Sequence, residues 1–223
     1  MKSFLVKSII LGIVLLTSAN GVIGQVYSSV NAFNKAGLIN SKETYREIKG
    51  DPFLFKDYKT ASIKFANSNA ATYSIKYDQL EDKVIVKGPG TEEYAFNDAV
   101  AEFNFKDDNK LFRAGFAPVG KMTEKSFYQI IHDGKTKYIK RLGKIIIESK
   151  GYNTPTIEKK VETDNSYYIV RNDNIPVLVK NNEKSIIAML DKKGDFSKYI
   201  KDNKLNLKND EDVTKFLSYY DSL

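Results

Sequence analysis

The chain has 223 residues, 35 Lys or Arg against 28 Asp or Glu, and a formal charge of +7. It contains no cysteine, no tryptophan and one histidine. That composition excludes disulfides, thiolate metal sites, thiol nucleophiles and a cysteine-borne N-terminal lipid, and leaves zinc only a carboxylate-dominated shell.

Lys2 and Lys7, with no acid nearby, open the chain ahead of an apolar run from Ser8 to Thr17. Small and polar residues then lead through Val22-Ile23-Gly24 to Gln25. A basic start, apolar middle and small-residue exit describe a secretory signal peptide. The apolar run falls short of the ~20 residues that a spanning helix needs, which favours cleavage over anchoring. The expected scissile bond joins Gly24 to Gln25, with a cut after Ala19 as second choice. Removing these 24 residues from 223 leaves 199, and losing Lys2 and Lys7 lowers the charge from +7 to +5. That length suffices for one sizeable core, and no later apolar stretch is long enough to span a bilayer. Only Arg46, Arg113, Arg141 and Arg171 among the basic residues are arginine. Phosphate and base-edge recognition favours the guanidinium fork, so the lysine-rich surface reads as solvated and no nucleic-acid partner is expected.

Residues 25–49 have a weak pattern that fits an extended arm or a short helix. From Gly50 apolar residues alternate with polar ones: Ala61, Ile63 and Phe65, then Tyr73, Ile75 and Tyr77, then Ala101, Phe103 and Phe105. Period two places one set of side chains on a buried face. Turn signals stand at Asn67-Ser68-Asn69, Gly88-Pro89-Gly90 and Asp107-Asp108-Asn109. Asp133-Gly134 between Phe127–Ile131 and Thr136–Leu142 is the strongest hairpin signal. Ile145-Ile146-Ile147, Tyr167 to Val170 and Val177 to Val179 extend the β series through residue 180. Over residues 181–223 the period becomes helical. Ile186, Met189 and Leu190 share a face, as do Phe196, Tyr199 and Ile200; Val213, Phe216, Leu217 and Tyr220 follow i, i+3, i+4, i+7. Asn209 before three acids is a good N-cap, and Asp195 opens a similar amphipathic start. The expected fold is α+β, mostly β: an antiparallel meander forming a curved sheet, barrel or sandwich, with a short C-terminal helix pair packed on it.

Catalytic vocabulary is sparse. His132 adjoins the Asp133-Gly134 turn and reads as a polar turn residue rather than a catalytic or metal-binding group. No G-x-S-x-G elbow, EF-hand spacing or phosphate-binding loop occurs. Glu92, Glu93, Glu102, Asp107 and Glu124 could supply the two carboxylates of a glycan hydrolase, although solvated acids are the simpler reading. No catalytic, cofactor-binding or metal-binding residue is assigned, and no cofactor is expected. Lys135, Lys137, Lys140, Arg141 and Lys144 form the densest basic stretch. They read as a charged edge that deters strand pairing, with binding to an anionic surface as the sharper alternative.

Several segments resemble a family of uncharacterised exported bacterial proteins: Lys49-Gly50-Asp51-Pro52-Phe53-Leu54-Phe55, Ile75-Lys76-Tyr77-Asp78, Phe112-Arg113-Ala114-Gly115-Phe116, and the ending Tyr219-Tyr220-Asp221-Ser222-Leu223. The resemblance implies export from a Gram-negative cell and a β-rich body with a helical C-terminus. It brings no activity and no site residues. The expectation is therefore an exported, non-lipidated, non-catalytic protein of the periplasm or exterior, with an unknown envelope or extracellular ligand. Amino-terminal sequencing of the exported protein should begin at Gln25; a mature chain starting at Met1 overturns the export reading.

Overall fold

The computed structural model describes residues 36–223 apart from 40, 67–69, 89, 97–98, 151–156 and 192–193. The signal segment, its expected cleavage site and the Asn67-Ser68-Asn69 turn lie outside the described residues. Residues 36–49, where the pattern was ambiguous, contain both kinds of element: strand β1 (Ala36–Ile39), the one-turn helix α1 (Ser41–Thr44) and strand β2 (Ile48–Lys49). Ten more strands follow: β3 (Lys59–Phe65), β4 (Ala71–Asp78), β5 (Lys83–Lys87), β6 (Glu93–Phe96), β7 (Val100–Phe105), β8 (Lys110–Arg113), β9 (Tyr128–Asp133), β10 (Lys137–Lys150), β11 (Ile157–Val170) and β12 (Pro176–Val179). Helices α2 (Glu183–Ile187), α3 (Phe196–Asp202) and α4 (Asp210–Ser222) close the chain.

The twelve strands form one sheet in the order β1-β6-β5-β4-β3-β7-β8-β9-β10-β11-β12, with β2 alongside β11. The architecture is mostly β, curved and not closed, with the C-terminal helix packed on the sheet. It departs from a simple meander at three points, the first being β1, which pairs with β6. β7 returns to the free side of β3 instead of extending beyond β6, and β2 runs parallel to β11. The other ladders are antiparallel.

Alternation explains what the first half buries. Ala61, Ile63, Phe65, Tyr73, Ile75, Tyr77, Val84, Val86, Phe103, Phe105 and Phe112 form one cluster with Phe127. Phe103 and Phe112 are cross-strand partners and stack with centroids 4.7 Å apart. Tyr77 packs against both, at 5.2 and 5.3 Å, although β4 lies two and three strands away from theirs. Only a strongly curled sheet brings those rings together.

The second half is buried on both faces. Tyr138 and Ile169 meet Phe196, Ile200, Val213, Phe216, Leu217 and Tyr220 of the helices. Their neighbours Ile139, Tyr168 and Val170 pack oppositely, with Phe116 and Tyr128. Two-sided burial accounts for the unbroken apolar run Tyr167 to Val170. The helix signals read from sequence correspond to local geometry: the Asn209 side chain accepts from the Glu211 amide at 2.8 Å and Asp195 from the Lys198 amide at 3.0 Å. α2 adds one turn ahead of the expected helix pair.

Beyond residue 144 the β10–β11 pair leaves this packing and projects as a ribbon. Ile145, Ile146, Ile147 and Ile157 remain 43, 42, 40 and 56 % exposed. Ile145 to Ile147 are therefore not a separate core strand but the outer part of β10. Phe103→Ala should cost about 3–5 kcal/mol in urea unfolding, whereas Leu178→Ala, at a 64 % exposed position, should change stability by no more than about 0.5 kcal/mol.

Candidate functional site

A cluster of polar groups that includes the buried Asp78 and Gln79 lies where the two halves of the sheet meet. β4 and β10 are five strand steps apart, which in a flat sheet is about 24 Å. Yet the Lys144 amide donates to the Gln79 carbonyl at 3.3 Å, and the Gln79 side-chain amide to the Leu142 carbonyl at 2.7 Å. The sheet has curled until the end of β4 touches β10, and side chains rather than a strand ladder stitch the seam.

The β4–β5 turn supplies one side of it. The Asp78 carboxylate accepts from the Leu80 and Glu81 amides, both at 3.0 Å, and Asp82 takes the left-handed conformation at φ 56°. Asp and Asn tolerate both devices because their short polar side chains bond the local backbone. Asp82 is thereby aimed at β10. The Tyr77 hydroxyl donates to it at 2.6 Å, and Arg141 approaches at 3.2 Å while donating to the Tyr77 oxygen at 2.7 Å. Burial holds the Tyr77 phenol well above its ordinary range. Burial also works against the Arg141 charge, but Tyr77 and Asp82 outweigh it and raise its pKa. The resulting partly buried pair is neutral as a unit.

The segment from Asp51 to Leu54 forms the other side. Its Pro52 carbonyl accepts from the Gln79 amide at 2.9 Å, and its Leu54 amide donates to the Tyr77 carbonyl at 2.9 Å. Lys144 reaches across from β10 and donates to the Asp51 and Phe53 carbonyls at 2.7 and 2.6 Å. Burial lowers the Lys144 pKa, outweighing the opposing pull of the Asp51 and Asp78 carboxylates. Asp78, bonded by the Tyr45 hydroxyl, is shifted upward by burial.

The five basic residues of the expected patch thus do not converge on one surface. Arg141 and Lys144 are inside the seam. Lys137 pairs with Asp133 at 3.0 Å, and Lys140 lies 3.5 Å from Asp210 and over the Tyr167 ring. Lys135 is at the exposed hairpin and donates to the Asp221 carbonyl at 3.2 Å.

His132 differs from the turn residue expected. It lies within β9, is buried, and its Nε2 lies 3.2 Å from the Asp221 carboxylate of α4. That carboxylate also accepts from the Thr136 amide at 3.1 Å. A side chain at Gly134 would overlap both Asp221 and His132, so the Asp-Gly signal marks a helix-docking point as well as a hairpin. Burial pulls the Asp221 pKa up, but the bonds from Thr136 and His132 outweigh it and hold it below the ordinary carboxylate value.

The candidate acids are dispersed. Glu102 bonds Arg113 at 2.8 Å, Asp107 lies in the exposed 3-10 turn after β7, and the Glu124 carbonyl accepts from Gly115 at 2.8 Å. Glu92 and Glu93 border an open groove of about 450 Å³ that also contains Leu38, Ile39, Lys42 and Thr91. Glu92 accepts from the Tyr94 hydroxyl at 2.9 Å. Glu93 accepts from Ser41 and from the Tyr58 hydroxyl at 2.7 Å. Burial would raise the Glu93 pKa, but these bonds outweigh it and lower it, the opposite of what a general acid needs. Among the described residues, no group of three or more His, Asp or Glu is arranged to hold a metal ion. Comparisons with known protein families, characterised proteins and solved structures give no match to this chain.

Asp82→Ala strands the Arg141 charge in the seam and should cost about 3–5 kcal/mol in chemical unfolding. The Asp221 contribution is complete above the unfolded carboxyl pKa of about 4 and is lost as pH falls through the lower folded value. Asp221→Asn should therefore flatten part of the acid limb of stability against pH; an unchanged limb contradicts this linkage.

Proposed function

We propose that the protein is exported and has a non-catalytic binding or structural role in the cell envelope or outside the cell. The observation that carries this reading is the location of the shifted acid–base groups. Tyr45, Tyr77, Asp78, Arg141 and Lys144 bond one another or backbone carbonyls within the seam. Shifted groups mark catalytic sites when they face a cleft that receives substrate; these hold the sheet together. The signal-like N-terminus and the resemblance to exported bacterial proteins support the same reading. No helix among the described residues is long and apolar enough to cross a membrane.

The surface best suited to a partner is the projecting ribbon, which carries exposed isoleucines on both faces. With residues 25–223 as bait on envelope fractions, the captured partner should survive Glu92→Gln, Glu93→Gln and Glu102→Gln and be lost with Ile145→Asn/Ile147→Asn. Hydrolysis of envelope glycans that any of these Glu→Gln changes abolishes would overturn the non-catalytic reading.

A further inference from the structure

The seam is built unlike the rest of the sheet, and its asymmetry suggests movement. On the β4 side, residues 52–54 are held by two backbone hydrogen bonds, Gln79 to Pro52 and Leu54 to Tyr77, both 2.9 Å. On the β10 side the attachment is one backbone bond of 3.3 Å, the side chains of Gln79, Arg141 and Lys144, and Leu142 packed against the aromatic cluster. Just upstream, Ile48 and Lys49 pair with Lys159 and Lys160 of β11, and Lys49 also pairs with Glu158 at 2.8 Å. The segment is therefore tied to the ribbon through β2 and to β4 through residues 52–54. Gly50 stands between those ties at φ 101°, a conformation open to glycine and strained for other residues. A glycine joining two separately anchored segments is where rotation is easiest.

We propose that the β4–β10 seam is a gate: the sheet opens between β4 and β10, pivoting at Gly50, with Lys144 as the latch. In the closed state Lys144 holds the Asp51 and Phe53 carbonyls, and Arg141 crosses to Tyr77 and Asp82. In the open state residues 52–54 stay on β4 while β10 and the ribbon swing away. Opening uncovers the aromatic interior at Tyr77, which is packed against Phe103, Phe112 and Phe127. A junction without a ladder opens at lower cost than the paired strands around it.

The absence of native cysteine makes the gate directly measurable. Nitroxide labels on Glu81→Cys and Glu148→Cys, both at exposed positions, should show two distance populations, and Lys144→Met should shift weight to the longer one. The Lys144 amide, whose bond to the Gln79 carbonyl breaks on opening, should exchange hydrogen about 10-fold or more faster than those of Ile63 and Phe103. A single narrow distance distribution, unmoved by Lys144→Met, overturns the gate. So does seam exchange as slow as in the core. If Lys144→Met fails to fold, the distances and exchange of the otherwise native chain decide the question alone.

Discussion

The contact on which the rest of the structure depends is the meeting of β4 and β10. An open sheet of this many strands leaves its apolar face to solvent unless it curls or is covered. Here the first half curls around its aromatic cluster, and polar bonds at the β4–β10 seam add to that packing. Tyr77 stands at the centre: its ring belongs to the aromatic cluster, while its hydroxyl joins Asp82 to Arg141. One residue thus couples the hydrophobic interior to the seam where the curled sheet meets itself.

The seam shows why buried charge need not imply catalysis. Asp82 and Arg141 compensate each other's charge, and loss of either leaves the other unpaired. Burial moves Asp78 and Lys144 each toward its uncharged form, against the pull of Asp51 and Asp78 on the Lys144 ammonium. Their linkage differs from that of Asp221. A carboxyl raised in the folded state stabilises when protonated and loses that contribution as pH rises through the folded pKa, whereas Asp221 loses its contribution as pH falls. Asp78 and Asp221 therefore contribute to the pH dependence of stability with opposite signs.

Much of the fold was legible in the sequence. Alternation located β3, β4 and β7, and the i, i+3, i+4, i+7 set with its Asn209 cap located α4. The outer half of β11, Ile157 to Asn165, was not legible. Its Glu, Lys, Thr, Asp and Asn residues have no apolar period; they are extended because β10 templates them residue for residue. The seam was illegible for a different reason. Tyr77, Asp82 and Arg141 are distant in sequence, and an arginine beside lysines looks like surface charge until the curl places it inside. His132 misled similarly, because its partner Asp221 is contributed by the far end of the chain.

The ribbon follows from the same packing logic. Residues 137–144 of β10 are sandwiched between helices and sheet interior, so apolar side chains there are covered on both faces. Past Lys144 the covering ends, while backbone bonding to β11 continues to Lys150. Beyond Lys140 the side of β10 away from β11 has no ladder among the described residues, only the Gln79 contact. An exposed hydrophobic edge invites strand pairing, and Glu148 and Lys150 interrupt it with charges of opposite sign. Those charges make indiscriminate edge-to-edge association less favourable while leaving Ile145 to Ile147 exposed. The same charges therefore narrow what can pair with this edge to a strand that accommodates both signs.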